Sequence, residues 1–440
     1  MEIKRDRYLE EMKKAIGNQM VKIITGPRRC GKSYLLFKIF RDWLREQGVD
    51  DSHIIELKLD DARNVLYRNP LAMAEYFRKR KPNDGKTSFF IIDEIQLCES
   101  IPNPAFEGIR TADGSTPTVT FYDVLNEFLH YEDTEVFVTG SNSKMLSSDI
   151  ATEFRGRSWQ IHMHSLSYFE FLSAHQGEGD DLTLWDQYLY YGGLPMVSLL
   201  QDDAAKRSYL EDVYRTIYLK DLVERHSLKG DVAIGELASF LASTVGSPIN
   251  PANISGALFS KEGVKVSQPT IKLYLAYLQD AFLVSEASRF NLRGKEKFGS
   301  GAKYYFEDLG LRNAANSFID YDQEPHYMEN VIYNELVNRG YKVSIGSVAD
   351  YVKNNDRTER RNYEVDFIAD KGGKRIYIQS ALYIPDKTKM DQERRPLLLI
   401  GDSFQKVIIT KISGTGMYDE YGIRHLNLFR FLKDADSLQD

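Results

Sequence analysis

The sequence predicts an α/β protein whose core is a parallel sheet, and three observations lead there. Short apolar runs alternate with helix-length amphipathic stretches through the first 165 residues. A glycine-rich turn, Gly26-Pro27-Arg28-Arg29-Cys30-Gly31-Lys32-Ser33, falls between one such run and a helical stretch. A third run, Phe89-Phe90-Ile91-Ile92, closes on two adjacent carboxylates, Asp93 and Glu94.

In chain order, residues 8–16 read as a helix, 21–24 as a buried strand, 33–46 as a helix and 54–59 as a strand. Residues 71–79 read as a helix, 88–92 as a strand, 121–131 as a helix, and 135–139 and 159–164 as the last strands of the core, 1–165. The stretch 166–230 is mostly helical and reads as a lid or connector. Residues 231–310 run helix, turn, helix, then two β-like runs (282–290 and 303–307) around the polar turn NLRGKEKFGSG, the order of a winged helix-turn-helix. In 311–440 a helix at 328–339 precedes strand patterns at 341–345, 364–369, 374–379 and 406–410, a separate α/β module. The polar segments 78–81 and 353–361 read as solvated loops.

With 440 residues the chain has room for two to four domains, and 42% hydrophobic against 28% charged residues is the profile of a folded globular protein. Its two cysteines, Cys30 and Cys98, have no CxxC partner, which excludes a disulfide framework and a zinc knuckle. A net charge of −7 argues against general polyanion binding, so any nucleic-acid contact must be local. The charged N-terminal stretch lacks an apolar signal core, and nowhere do 18 apolar residues run together, so a soluble cytoplasmic protein without a membrane segment is expected.

The turn matches G-x-x-x-x-G-K-[ST], the P-loop pattern, in the strand-then-helix context the pattern requires. Its glycines let backbone N–H groups curl around phosphate, Lys32 reaches the β and γ oxygens, Ser33 binds Mg²⁺, and the helix N-terminus adds its dipole. Residues 26–33 together with Tyr34 are therefore expected to hold ATP with Mg²⁺. Asp93 would complete the metal shell in a Walker B arrangement, and Glu94 would polarise the attacking water. At the end of the 135–139 strand, Asn142 reads either as a sensor of the γ-phosphate or as a turn residue. Arg155 and Arg157 are two arginines either of which can serve as a finger on a neighbouring subunit's nucleotide or as a sensor in cis. Cys30 reads as a small filler that would expose the loop to thiol reagents. Arg5 and Tyr8 precede the first strand, where Tyr8 fits either an adenine cover or a hydrophobic staple.

Taken together, GPRRCGKS, FFIIDEIQ, VTGSNSKML, FRGR, SLSYFEFL, YGGLP and YLKDLVERH resemble the predicted bacterial and archaeal AAA+ superfamily ATPases with a domain-of-unknown-function (DUF4143-type, nuclease-like) C-terminal region. The resemblance spans nearly the whole chain. It implies an AAA+-like ATPase core, a small helical section, a winged helix-turn-helix and a nuclease-like terminal domain, with ring formation or dependence on a partner.

In the winged segment, Pro269 opens a helix that reads as the recognition helix, with Gln268, Thr270 and Lys272 toward a groove. Between 265 and 304 there are seven Lys or Arg against three acids, a local +4, and the turn residues Arg293, Lys295 and Lys297 stand where a wing meets phosphate. The same fold also serves protein contact.

In the last module, Glu329 on a helix, Asp366 on a strand and Gln379 on the next resemble the skeleton of a PD-(D/E)XK nuclease. Active members use a carboxylate pair and a lysine on a divalent metal. Here Gln379 stands in the place of the second acid and Ala381 in the place of the lysine, so a degenerate module is expected.

The expected function is Mg²⁺-dependent ATP hydrolysis coupled to binding and remodelling of, or translocation on, duplex or branched DNA, in a homo-oligomer such as a hexameric ring. The alternatives are a nucleotide-controlled switch that binds a protein partner and an ATP-gated nuclease.

Overall fold

The computed structural model describes residues 3–106, 110, 114–140, 153–154, 156–176, 178–228, 232–263, 265–292, 296–297, 301–319, 323–354, 357–412 and 415–439. It divides into two compact units, Ile3–His164 with Asp280–Phe282, and Ser165–Gln279 with Leu283–Asp440.

The first unit is built on five parallel strands in the order Ile54–Lys58, Ser88–Asp93, Thr134–Thr139, Val21–Thr25, Ser158–His162. Thr134–Thr139 separates the strand that leads into the glycine-rich turn from the one that ends in Asp93, with Val138 opposite Ile23 and Phe137 opposite Ile91. Every residue of Val21–Thr25 and Ser88–Asp93 is buried, which is why these strands read as mostly apolar runs rather than as alternations, Lys22 excepted. On one face Met73, Phe77, Leu125 and Phe128 cover Phe90, Val136 and Val138. On the other, Leu36, Phe37 and Phe40 cover Ile24, Ile91 and Phe137.

The covering helices are set by local chemistry. Asn69 accepts from the N–H groups of Leu71 and Ala72 and caps Pro70–Arg80, with Pro70 in the first turn. The segment 78–81, expected as a loop, instead supplies that helix's last turn. Arg78, Lys79 and Arg80 sit there because cations are favoured at a helix C-terminus.

In the second unit, Ser167, Asp180 and Asp202 cap the helices Tyr168–Ala174, Asp181–Tyr191 and Asp203–Asp212. Helices Val232–Ser243, Pro251–Glu262 and Gln268–Asp280 follow, then an antiparallel ribbon in which Val284–Ala287 pairs with Lys303–Phe306. Between these two strands, Arg289–Asn291 leaves the ribbon and pairs in parallel with Lys342–Asn354, and so joins an eight-stranded sheet. That sheet contains the antiparallel meander Lys342–Asn354, Arg357–Lys371 and Lys374–Ala381, then the parallel strands Gln405–Thr410 and Ile423–Asn427. The helices Glu324–Asn338 and Lys387–Leu398 accompany it.

The segment 353–361 also departs from its expected loop: Lys353 pairs with Thr358 and Asp350 with Arg361 in the far end of the long hairpin. No apolar residue occurs between 353 and 361, so hydropathy gives no sign of a strand there.

Candidate functional site

The five strands point the same way, so their carboxyl ends share one sheet edge, the place where open α/β sheets bind ligands. Thr25 leads into Gly26, whose φ of +140° and whose close approach to the Met163 carbonyl, 2.0 Å from where a Cβ would stand, admit no side chain. Arg29 and Gly31 also take positive φ, 68° and 102°, and wind the loop into the helix that begins at Lys32. Pro27 is buried, Arg28 half-buried, and Arg29 and Tyr34 exposed.

Cys30 is fully buried, with its thiol 3.4 Å from the Met163 carbonyl oxygen. It packs the loop onto the core and is shielded from the thiol reagents that the sequence suggested would reach it. Lys32 donates to the carbonyls of Gly26 at 2.9 Å and Pro27 at 2.8 Å, which puts its ammonium at the mouth of the loop.

Ser33 Oγ lies 3.1 Å from Asp93 Oδ1, and Thr139 Oγ1 donates to the same carboxylate oxygen. Burial pushes the Asp93 carboxyl above the usual range, while these two hydroxyls pull it back. Thr139 Oγ1 also accepts the Glu94 N–H at 3.0 Å. Glu94 adopts φ +52°, a left-handed conformation, and its carboxylate accepts from the Gln96 amide. Thr139 and Gln96 escaped the sequence reading, since only the strand order brings Thr139 between the two motifs.

Asn142 and Arg155 lie outside the described residues. Arg157 is described, and its position corrects one expectation. Its backbone carbonyl accepts the Val21 N–H, at the opposite end of that strand from the glycine-rich loop, about 13 Å away for four residues of strand rise. Its guanidinium donates to Asn126. A sensor role in cis is therefore closed to Arg157, because the sheet stands between it and the loop. Arg5 and Tyr8 are both buried and both hold His164, through its carbonyl and its N–H, so Tyr8 presents no open ring face for a base.

In the second unit, Gln268 and Lys272 are exposed and Thr270 is half-buried, with its hydroxyl 2.7 Å from that of Ser267. Arg293 and Lys295 lie outside the described residues, as does the side chain of Lys297. Lys303, counted among the basic residues of this segment, is only 2% exposed and bonds to Glu329 and Glu364, so it contributes no surface charge.

The remaining expected site residues do meet. The Asp366 N–H donates to Gln379 Oε1 at 2.9 Å, and Asp366 Oδ2 accepts the Ser380 N–H at 2.8 Å. Asp366 keeps some exposure, yet protein atoms crowd it closely enough that desolvation, followed by Glu329, raises its carboxyl well above the usual range. The sequence offered no lysine for this cluster. The structure brings one from 63 residues upstream, on another element.

A strand, a phosphate-type loop closed by Lys32 and Ser33, a helix starting at that loop, and an acid on a second strand beside the serine define a P-loop ATPase core of AAA type. The AAA domain family model matches residues 18–172. Residues 182–322 match a domain of unknown function (DUF8612), which takes the place of the DUF4143-type region expected from the resemblance. The chain is 31% identical to an uncharacterized protein of Haemophilus influenzae over 413 residues, 93% of each chain, and belongs to the same family. It is 28% identical over 362 residues to an uncharacterized protein of Methanocaldococcus jannaschii, covering 79% of this chain and 71% of that one. Among solved structures it is similar to a Walker-type ATPase of Pyrococcus abyssi, at 13% identity and a TM-score of 0.46, over 71% of this chain and 96% of that one. Among the described residues, no helix is long and apolar enough to cross a membrane.

Proposed function

We propose that this protein hydrolyses ATP with Mg²⁺ and couples the cycle to binding and remodelling of, or translocation on, DNA. The observation that carries the ATPase part is the 3.1 Å approach of Ser33 Oγ to Asp93 Oδ1, beside Lys32 and next to Glu94. Two hard oxygen donors from different elements, one of them a buried carboxylate, suit Mg²⁺. Bound there, the ion neutralises charge developing on the phosphate oxygens. Lys32 and the N–H groups of the loop bind the phosphates, Glu94 takes the proton of the attacking water, and Asn142 and Arg155 read the γ-phosphate. Arg157 acts only on a neighbouring subunit's nucleotide, in a homo-oligomeric ring.

The DNA part rests on the second unit. Its exposed helix start at Gln268 and Lys272 and the sequence-basic turn Arg293, Lys295 and Lys297 serve as a winged helix-turn-helix within 231–310. Residues 166–230 serve as a helical lid or connector, and residues 1–165 as the ATPase core. The order helix, three-stranded meander, helix, parallel strand supports reading 311–440 as a PD-(D/E)XK-like module that contacts DNA without cutting it.

The test is the steady-state ATPase rate of the purified protein with Mg²⁺, alone and with saturating single-stranded, duplex and four-way-junction DNA at fixed salt. Stimulation by one form is expected, and Arg293→Ala with Lys295→Ala should weaken it and flatten its salt dependence. A flat response to every DNA overturns the coupling and leaves the nucleotide-controlled switch with a protein partner.

A further inference from the structure

The second unit holds a cluster of charges that no role above employs. Lys303 Nζ lies 2.7 Å from Glu329 Oε1 and 2.6 Å from Glu364 Oε1. Tyr305 donates to the same Glu329 oxygen at 2.6 Å. Asp366 lies two residues on from Glu364, on the same face of the same strand. Burial alone would drive the Lys303 ammonium toward its neutral form, but Glu329, Asp366 and Glu364 together overcome that and hold it charged.

Three carboxylates on a helix and a strand thus converge on one cation carried by a third element, the ribbon Val284–Ala287 with Lys303–Phe306. Carboxylate oxygens gathered this way are the donor set a hard divalent ion takes, and a buried cluster of them is tolerated only with a cation among them. An ammonium and a divalent ion cannot share the same oxygens at contact distance without strong repulsion.

We propose that the Lys303 ammonium is the resident cation of this acidic centre, and that it excludes divalent metal for as long as the ribbon carrying it stays seated. The inference stands on this geometry and does not depend on DNA binding or on the ATPase assignment. It gives the module a reason to lack metal that the substitutions at Gln379 and Ala381 alone do not supply.

The experiment uses the full-length chain carrying Asp93→Asn, so that metal at the nucleotide site is silent, and titrates it with Mn²⁺ followed by electron paramagnetic resonance. The parent is expected to bind no Mn²⁺ that Asp366→Asn removes. Adding Lys303→Met should create one site per chain, at least tenfold tighter than any residual binding of the parent, and Asp366→Asn should abolish it. Should Lys303→Met fail to fold by circular dichroism, the charge-balanced pair Lys303→Met with Glu329→Gln decides the matter, since Glu364 and Asp366 remain as ligands. A parent site that depends on Asp366 overturns the proposal, and so does a folded Lys303→Met or charge-balanced variant that gains none.

Discussion

Ser33 Oγ stands 3.1 Å from Asp93 Oδ1, and the Thr139 hydroxyl donates to that same oxygen, so two hydroxyls from two elements fix one side of a single buried acid. The two are not equivalent. Ser33 belongs to the glycine-rich loop and, under the proposed function, would give an oxygen to the metal, whereas Thr139 bonds only Asp93 and the Glu94 N–H. Ser33→Ala should therefore cut Mg²⁺-dependent turnover by about 100-fold or more, several kcal/mol of lost charge stabilisation, while ATP without metal still binds. Thr139→Val should cost about tenfold, the lower end for one lost hydrogen bond to a charged group. Equal losses in the two variants would reduce Ser33 to an orienting role, and unchanged turnover in Lys32→Ala would remove the loop from the reaction altogether.

Glu94 is held by Gln96, whose amide donates to its carboxylate. That donor fixes the direction of the carboxylate, so Gln96→Leu should lower kcat by about tenfold, the scale of one lost hydrogen bond. Glu94→Gln should lower kcat by roughly 100-fold to 10,000-fold, the range of a lost general base, without weakening nucleotide binding measured by thermal shift. A Gln96→Leu kcat equal to the parent's would show that this contact does not orient Glu94.

The sheet itself carries a buried ion pair, Lys22 with Glu135, whose side chains are 1% and 9% exposed. The Gly17 N–H adds a second donor to Glu135 at 2.7 Å. Burial lowers the Lys22 ammonium and Glu135 offsets this only in part, so the lysine is costly without its partner. Glu135→Gln or Lys22→Met alone should destabilise the first unit by about 3–5 kcal/mol, while the double change should cost much less than the sum. Chemical denaturation of the four proteins measures the coupling; additive losses would mean the pair does not act as a unit.

The parts of this molecule that the sequence displays are those set by local pattern. Val21–Thr25, Ser88–Asp93 and Thr134–Thr139 announce themselves because a strand covered on both faces is mostly apolar, with the paired Lys22 and Glu135 as interior exceptions, and the loop 26–33 because the P-loop pattern fixes its glycines and its lysine. What stays hidden depends on which strands become neighbours. Strand order alone gives Thr139 its place beside Asp93, and alone puts Arg157 at the far edge. Lys303 is hidden for the same reason: its partners Glu329 and Glu364 lie 26 and 61 residues onward, and no spacing rule joins a ribbon to a helix and a sheet. The strands around 353–361 are hidden because a polar ribbon has no hydrophobic face to betray it.

The YGGLP segment finds its explanation in Asp308. This buried carboxylate accepts the Gly193 N–H at 2.8 Å and the Leu311 N–H at 3.1 Å, tying the segment to the start of helix Leu309–Ala315. Gly192 has φ +72°, and a Cβ there would stand 2.3 Å from Asp308 Oδ1, so Gly192→Ala should destabilise the second unit by roughly 2 kcal/mol or more. Burial pushes the Asp308 carboxyl up, against the N–H groups that pull it down. The folded chain thus holds this proton to higher pH than the unfolded chain, whose aspartates titrate near about 4. The stability Asp308 contributes is accordingly full below that range and drains away as pH rises toward the raised folded value. Asp308→Asn cannot titrate, and because Gly193 and Leu311 donate to different carboxylate oxygens its single carbonyl oxygen keeps only one of the two acceptors, so the variant starts from a lower stability. Melting temperatures of the parent and Asp308→Asn between pH 4 and 8 should therefore converge as the pH rises, with the parent showing the steeper decline; parallel curves would mean that the two N–H groups outweigh burial and keep Asp308 ionised throughout.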